Sequence, residues 1–384
     1  MILPPARLGM LGGGQLGRFF VSAAHEMGYK VWVLDPDSHS PAGLIADRHL
    51  VAGYDEYAAL DELAEGCAGI TTEFENVPAE TLDYLAKFVP VRPSAQAVAV
   101  CQNRIAEKTF LRDHGLPHGP FAVIRGEADI TAANAGLFPA VLKVARFGYD
   151  GKGQARVADR AEALHAFHQF QNEPCVLEKM LSLDYEVSVV LARDEAGAVA
   201  VFPPAENSHR RGILDVTIAP ARASVCQQDS AQEVAERIAQ ALDYVGTLGV
   251  EFFVCRGELL VNEMAPRPHN SGHHTLDACV TSQYDQQVRA LCGLPLGLPR
   301  QHSPAVMVNL LGELWFENGD PHGHYREPDW SVLAAVPGLR LHLYAKHHAR
   351  HGRKMGHFTV VCEDAVQAVE RAMAARQAIG IRDE

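Results

Sequence analysis

Short apolar runs alternate with helical spacings along the first ninety residues. Arg7 to Leu11 is a strand-like run, followed by a helical stretch through Met27. Val31 to Leu34 is a second run, ending at Asp35. Gly69 to Thr72 is a third, and Pro78 to Phe88 reads as a helix with proline near its start. Strands alternating with helices predict a parallel sheet covered by helices. Val91-Arg92-Pro93-Ser94 marks a boundary, with prolines flanking an extended segment. The pattern then changes. Pro139 to Val144, Ala155 to Ala158 and Cys175 to Glu178 read as strands, with a helix over Asp159 to Gln171. Glu186 to Leu191 and Ala198 to Phe202 read as a hairpin around Glu195-Ala196-Gly197, and Ala231 to Leu242 has helical spacing. Val250 to Val254 and Leu259 to Asn262 form a second hairpin around Arg256-Gly257. The tail reads as strands at Ala305 to Leu310, Leu339 to Tyr344 and His357 to Val361, closed by a helix from Asp364 to Ile379. The expectation is a mixed α/β and α+β protein in three parts: 1-95, 96-293 and 294-384.

Composition narrows the function without naming it. A chain of 384 residues exceeds one ordinary core. Its net charge of -13 argues against broad nucleic-acid binding while leaving room for a local basic pocket. The 8 cysteines form no C-x-x-C pair, and no H-E-x-x-H occurs among the 19 histidines. No apolar stretch is long enough to span a bilayer, and Met1 to Leu11 has no signal-peptide pattern. The cytoplasm is the expected location.

Three features carry chemistry. Gly12-x-Gly14-x-x-Gly17 follows a strand and opens a helix, and Asp35 ends the next strand. That is the dinucleotide fingerprint, and on this motif alone a dehydrogenase is a fair hypothesis. The same physics, backbone amides and a helix N-terminus facing an anion, suits any phosphorylated ligand. A ligand-free tight turn is the plainer reading. The second feature is Phe147-Gly148-Tyr149-Asp150-Gly151-Lys152-Gly153-Gln154, between two strands and lacking a G-K-[ST] ending. A mobile loop carrying Lys152, with Lys143 near the end of the preceding strand, could fold over a triphosphate. An ordinary flexible hairpin explains the glycines but not the bracketing lysines. The third is Glu251 opposite Asn262 and Glu263 if Arg256-Gly257 turns the chain. Two carboxylates and an amide oxygen on one edge suit Mg²⁺, which takes one or two carboxylates plus substrate phosphates. A solvated strand face is the alternative.

Taken together, Gly148 to Gln154, Asn262-Glu263-Met264-Ala265-Pro266-Arg267 and His269-Asn270-Ser271-Gly272-His273 resemble the ATP-grasp ligases of purine biosynthesis, most closely those that carboxylate aminoimidazole ribonucleotide. Thr72-Glu73-Phe74-Glu75-Asn76-Val77 and Gly352-Arg353-Lys354-Met355-Gly356-His357 add to the resemblance, which covers essentially the whole chain. Val144-Ala145-Arg146-Phe147 departs from it, since the family more often has a further polar or basic residue there.

The resemblance implies an ATP-grasp fold with an N-terminal parallel-sheet domain and a small C-terminal domain. It implies ATP as substrate, Mg²⁺ (with Mn²⁺ as substitute) and bicarbonate joined to the exocyclic amine of 5-aminoimidazole ribonucleotide. By the same resemblance Arg104, Lys143 and Lys152 are phosphate-side cations within an ATP site that includes Gly148, Tyr149, Asp150, Gly151, Gly153 and Gln154. Glu178, Lys179, Met180 and Leu181 form the adenine hinge, Glu186 meets the ribose, and His209 lies on the nucleotide side. Glu251 and Glu263 hold the metal, with Asn262 beside them. Gly14, Gln15 and Leu16 approach the ribonucleotide phosphate with Lys346 and Arg353, while Glu73 and Asn76 contact its ribose or imidazole end. Asp150, Arg267, Asn270 and Ser271 lie where bicarbonate meets the amine, and Arg267, Asp150 and Lys152 are the candidate catalytic residues. Arg267 is the best bicarbonate group, because a planar guanidinium matches a planar carbonate. Relatives of this type are commonly homodimers. A sibling ligase that transfers formate to glycinamide ribonucleotide shares the phosphate contacts, and a non-catalytic nucleotide-binding regulator would not need both glutamates.

Overall fold

The computed structural model describes residues 1–146, 153–320 and 323–382. In it the first apolar run, Arg7–Leu11, is the inner strand of a four-stranded parallel sheet. Lys30–Leu34 and then Arg48–Leu50 lie on one side of it and Gly69–Thr72 on the other. Gly69–Thr72 is buried throughout, as strands of a helix-covered parallel sheet are. The helix Gln15–Glu26 covers one face, burying Leu16, Phe20, Val21 and Ala24. A second helix on that face comes from far along the chain. Gln283–Cys292 packs its Tyr284, Val288 and Leu291 into the same cluster. Polar contacts tie it in place: Arg92 donates to the carbonyls of Ala290 and Leu291, and Gln287 to the Thr71 hydroxyl at 2.5 Å.

A four-stranded antiparallel sheet follows, in the order Phe121–Ile124, Cys175–Lys179, Ala140–Val144, Gln154–Val157. The helices Glu127–Ala132 and Arg160–Gln169 cover it. The second is capped by the Asp159 carboxylate, which accepts from the amides of Ala161 and Glu162.

The largest sheet is antiparallel and nine-stranded. Its order is Glu258–Ala265, Gly246–Cys255, Tyr185–Arg193, Ala205–Arg210, Ile213–Ala219, Ala305–Leu311, Lys354–Val361, Leu339–Leu343, with Val199–Val201 also paired to Tyr185–Arg193. The hairpin from Ala205 to Ala219 has no counterpart among the expected elements. Its first strand reads Ala205-Glu206-Asn207-Ser208-His209-Arg210, with little apolar signal. Its turn uses Arg211 at φ 54° and Gly212 at φ 78°, the left-handed backbone that tight hairpins need. This hairpin carries the sheet into the C-terminal strands, since Val216 to Ala219 pair with Val308 to Ala305. The tail is therefore an extension of the central sheet, closed by the helix Ala365–Ala378. Among the described residues no helix is long and apolar enough to cross a membrane.

Candidate active site

Val250 and Val254 point into the core below the hairpin Gly246–Cys255/Glu258–Ala265, which leaves Glu251 and Phe253 on the opposite face. Arg256 and Gly257 both have positive φ, 52° and 79°, and close the hairpin in two residues. Glu251 pairs directly with Glu263, but Phe252 pairs with Val261. Asn262 is thus the extra residue of a β-bulge, so two residues face one. That slip puts Asn262 and Glu263 together against Glu251. Asn262 turns its amide nitrogen to Glu251 Oε2 at 3.4 Å, so it meets that carboxylate as a donor rather than with the expected oxygen.

Glu251 and Glu263 are compensated differently. Glu251 is deeply set, and its Oε1 lies 3.2 Å from His269 Nε2. Burial alone would raise its pKa, but the His269 hydrogen bond, with His269, His209 and Lys354 nearby, holds it at about 2. Glu263 keeps 39% of its side chain exposed and lies 3.5 Å from Arg104. Two carboxylates facing a cleft, one firmly held and one accessible, are the donor set a hard divalent cation takes.

Cations line one wall beyond the carboxylates. Arg104 starts the helix Arg104–Asp113, which Asn103 caps. Glu178 sits between Lys143, at 3.1 Å, and Lys108, at 3.8 Å, and Lys108 also donates to the Asn262 carbonyl at 2.7 Å. Glu186 lies 3.0 Å from His209 Nδ1, and both face the cleft. Burial lowers the pKa of His209, yet the Glu186 hydrogen bond and the charge of Glu251 leave it raised overall. Lys179 and Met180 donate their amides to the carbonyls of Pro120 and Pro139, so those two hinge N–H groups are already engaged. Gly153 and Gln154 close the glycine loop onto its strands, through Val144 N–H to Gly153 C=O at 2.9 Å and the pairing of Lys143 with Gln154. Gly148, Tyr149, Asp150, Gly151 and Lys152 lie outside the described residues.

The first glycine turn departs from expectation. Gly13 donates to Asp35 at 2.6 Å, and Gly14 and Gly17 donate to the two oxygens of Glu73 at 2.6 and 2.9 Å. The helix N-terminus thus already holds an anion, a carboxylate from within the protein. This arrangement occupies the Gly14 amide, although Gly14 still lines the cleft. It also weakens the dehydrogenase reading, because Asp35 is engaged by Gly13, Asp37 and Tyr54 rather than presented to a ribose. Gln15 still faces the cleft and accepts from Lys346 Nζ at 2.6 Å. Burial, reinforced by Arg353, brings Lys346 down to about 7. Lys346 and Arg353 form a basic end of the cleft.

Between these ends Arg267 forms an ion pair with Glu75 through its Nε. Burial would raise Glu75, but Arg267 keeps it at about 2. Asn76 and Asn270 line the cleft nearby. Asn270 is 8% exposed, and neither its amide nitrogen nor its amide oxygen has a partner among the described residues. A buried amide left so is expected to meet a ligand. Ser271 is 1% exposed and bonds Ser188 and His269, so it stands behind the cleft wall instead of at the expected bicarbonate position. All the other expected residues named so far, apart from the hinge Glu178 to Leu181, Gly153 and the undescribed loop, border one cleft of about 1810 Å³ with Leu16.

Four further residues matter and were not singled out from the sequence. Glu75 and His269 lay inside recognised motifs but looked like neighbours of the active groups. Lys108 and Glu107 share a helix with Arg104, and only the fold brings them under Asn262 and Met264. Glu107 accepts the Met264 amide at 2.6 Å, and burial lifts it to about 7.

Comparison with known proteins gives this cleft its context. Family models match for a ribonucleotide synthetase preATP-grasp domain over residues 6–102 and an ATP-grasp domain over 109–284. A third, for the C-terminal domain of phosphoribosylaminoimidazole carboxylase, matches 305–371. The chain is 44% identical over 363 residues to the N5-carboxyaminoimidazole ribonucleotide synthase of Brucella melitensis, spanning 93% of this chain and 96% of that one. It is 41% identical over 362 residues to the Bacillus subtilis synthase, spanning 94% and 92%. The solved synthetase from Thermus thermophilus superposes with a TM-score of 0.88 at 39% identity, covering 97% of this chain and 98% of that one. An Aspergillus clavatus synthase in complex with ADP and 5-aminoimidazole ribonucleotide superposes with a TM-score of 0.88 at 30% identity, covering 97% and 98%. By its sequence along nearly its whole length, and by its fold, this chain belongs to the N5-carboxyaminoimidazole ribonucleotide synthase family of ATP-grasp ligases.

Proposed function

We propose that the protein carboxylates 5-aminoimidazole ribonucleotide at its exocyclic amine, using bicarbonate and ATP and releasing ADP and phosphate. The observation that carries the reading is one cleft holding the Glu251–Glu263 carboxylates and, beyond them, Arg267 clasped by Glu75. Bicarbonate is a weak electrophile. Transfer of the γ-phosphoryl group to one of its oxygens gives carboxyphosphate, whose carbonyl carbon the amine attacks as phosphate leaves. Glu251 and Glu263 would hold Mg²⁺, or Mn²⁺ in its place, which neutralises charge on the transferring phosphate when bound. Arg104 and Lys143, with Lys152 and Asp150 of the glycine loop, would meet the phosphates. Glu186 and His209 would meet the nucleotide sugar side. Arg267 would present its NH groups to bicarbonate while Glu75 fixes its plane, and Asn270 would bind beside it. Gln15, Lys346 and Arg353 would take the ribonucleotide phosphate. The chain's part is to position reactants and exclude water, since no covalent nucleophile is required.

The reading extends to three functional units, 1-95, 96-293 and 294-384, a homodimer and a cytoplasmic setting. Phosphate release is the test. With ATP, bicarbonate and aminoimidazole ribonucleotide, release should be rapid. With glycinamide ribonucleotide and formate it should stay at background, and the reverse outcome would move the protein to the sibling chemistry.

A further inference from the structure

Three adjacent strands of the large sheet carry small polar residues on one buried face, beneath the turn from His269 to His274. Thr217 pairs with Asn207 in register, and Ser188 pairs with Glu251. Their exposures are 0% for Thr217, 6% for Asn207, 2% for Ser188 and 1% for Ser271, so each hydrogen must find an acceptor inside the protein.

The bonds run in one direction. Thr217 Oγ1 donates to Asn207 Oδ1 at 2.9 Å, and Asn207 Nδ2 donates to Ser188 Oγ at 2.8 Å. Ser188 then donates to Ser271 Oγ at 2.7 Å, and Ser271 Oγ lies 2.8 Å from His269 Nδ1. The backbone N–H of Ser271 also points at His269 Nδ1, at 3.4 Å. A backbone amide can only donate, so Nδ1 carries the lone pair whatever the orientation of Asn207. The ring proton is then on Nε2, which faces Glu251 Oε1 at 3.2 Å. The reverse tautomer would set a bare nitrogen against a carboxylate, with no hydrogen between two acceptors.

We propose that Thr217, Asn207, Ser188 and Ser271 are positioning residues whose relay holds His269 as its Nε2–H tautomer, so that the imidazole donates to Glu251. His269 then has no lone pair to offer the acceptor amine. Its work is to fix one oxygen of Glu251, Oε1, and leave Oε2 to the neighbouring strand, where Asn262 Nδ2 lies 3.4 Å away. Partners of this kind tune metal ligands from outside the coordination sphere. The metal consequence rests on the reading of Glu251 given above, whereas the tautomer does not.

The test uses the full chain labelled with ¹⁵N-histidine. Long-range ¹H–¹⁵N correlation, with the His269 signal assigned through His269→Gln, should show protonated Nε2 and bare Nδ1. Ser271→Ala should move the ring toward a mixture of tautomers. It should also weaken binding of Mn²⁺ alone, followed by electron paramagnetic resonance, by about tenfold, the lower end for loss of an outer partner. His269→Gln, which keeps a donor near the Nε2 position, should retain more Mn²⁺ affinity than His269→Asn. Protonated Nδ1 in the unaltered protein overturns the proposal, and so does a Ser271→Ala protein in which tautomer and Mn²⁺ affinity are both unchanged. The expected tautomer in a protein that fails to carboxylate the ribonucleotide would uphold the relay and count against the proposed reaction alone.

Discussion

Single residues in the cleft are set by their neighbours more than by their type. Glu107 is a buried carboxylate and Glu251 and Glu75 are half-buried ones, and the loss of water pushes each upward. Glu251 and Glu75 nevertheless sit at about 2, because His269 and Arg267 face them, while Glu107 rises to about 7 with Glu263 as an added like charge. This is why Glu251 and Glu263 are the pair suited to a cation while Glu107 serves the backbone of Met264. Glu263→Gln removes one charge from that pair without removing its volume, and it is already partly exposed. ATP turnover should fall by ~10²-fold or more, the scale of losing one electrostatic stabiliser. The melting temperature should stay near that of the parent. Turnover close to the parent's would reject the metal assignment.

At the level of elements, the glutamate hairpin was legible because strand length, the Arg256-Gly257 turn and the carboxylate positions all agreed. The bulge at Asn262 was not legible. Nothing local distinguishes a register slip, which shows only in the pairing of the two strands. The Ala205 to Ala219 hairpin was missed because Asn207, Thr217 and the charged residues around them break the alternation that marks a strand, and their polarity is explained only by the relay beneath His269. The first glycine turn was legible as a turn, but the carboxylate its amides hold was not, since Glu73 stands 56 residues after Gly17. Gly249 shows the same coupling. A Cβ there would stand 2.7 Å from the Cβ of His269, so the absent side chain is what lets the His269 turn lie on the strand. Gly249→Ala should cost about 1–3 kcal/mol as overpacking. It should lower kcat further than that loss of stability explains, because His269 is displaced from Glu251. A variant with lowered melting temperature but parental kcat would show that the contact is only structural.

Across the whole molecule the three parts meet around Phe19. Its ring lies within 6 Å, centroid to centroid, of His273, Tyr284, His342, Tyr344 and His357. His273, His357 and His342 stack with successive centroids 4.6 Å apart. Burial first, and then neighbouring imidazoles, holds His273 and His357 well below the ordinary value of 6.5, and burial puts His274 at about 4. The unfolded chain takes up these protons as pH falls below 6.5 while the folded chain does not, so stability is lost from there toward pH 4. Glu107, Glu73 and His209 oppose this, since their raised values favour the folded state as pH falls, but the shifts of His273 and His357, well below 6.5, are the larger ones. The melting temperature should therefore drop between pH 6.5 and 5, and His357→Asn should make the drop shallower. A flat or rising curve would contradict neutral His273 and His357. The three parts together line one cleft that carries Glu251 and Glu263 with Lys346 and Arg353, and that arrangement is what makes bicarbonate activation by ATP the central claim. It is tested most directly with ¹⁸O-labelled bicarbonate. Attack of a bicarbonate oxygen on the γ-phosphorus leaves that oxygen on phosphorus when the carbonyl carbon is transferred. The phosphate released with aminoimidazole ribonucleotide should carry one ¹⁸O per turnover, whereas unlabelled phosphate formed alongside the carboxylated product would contradict it.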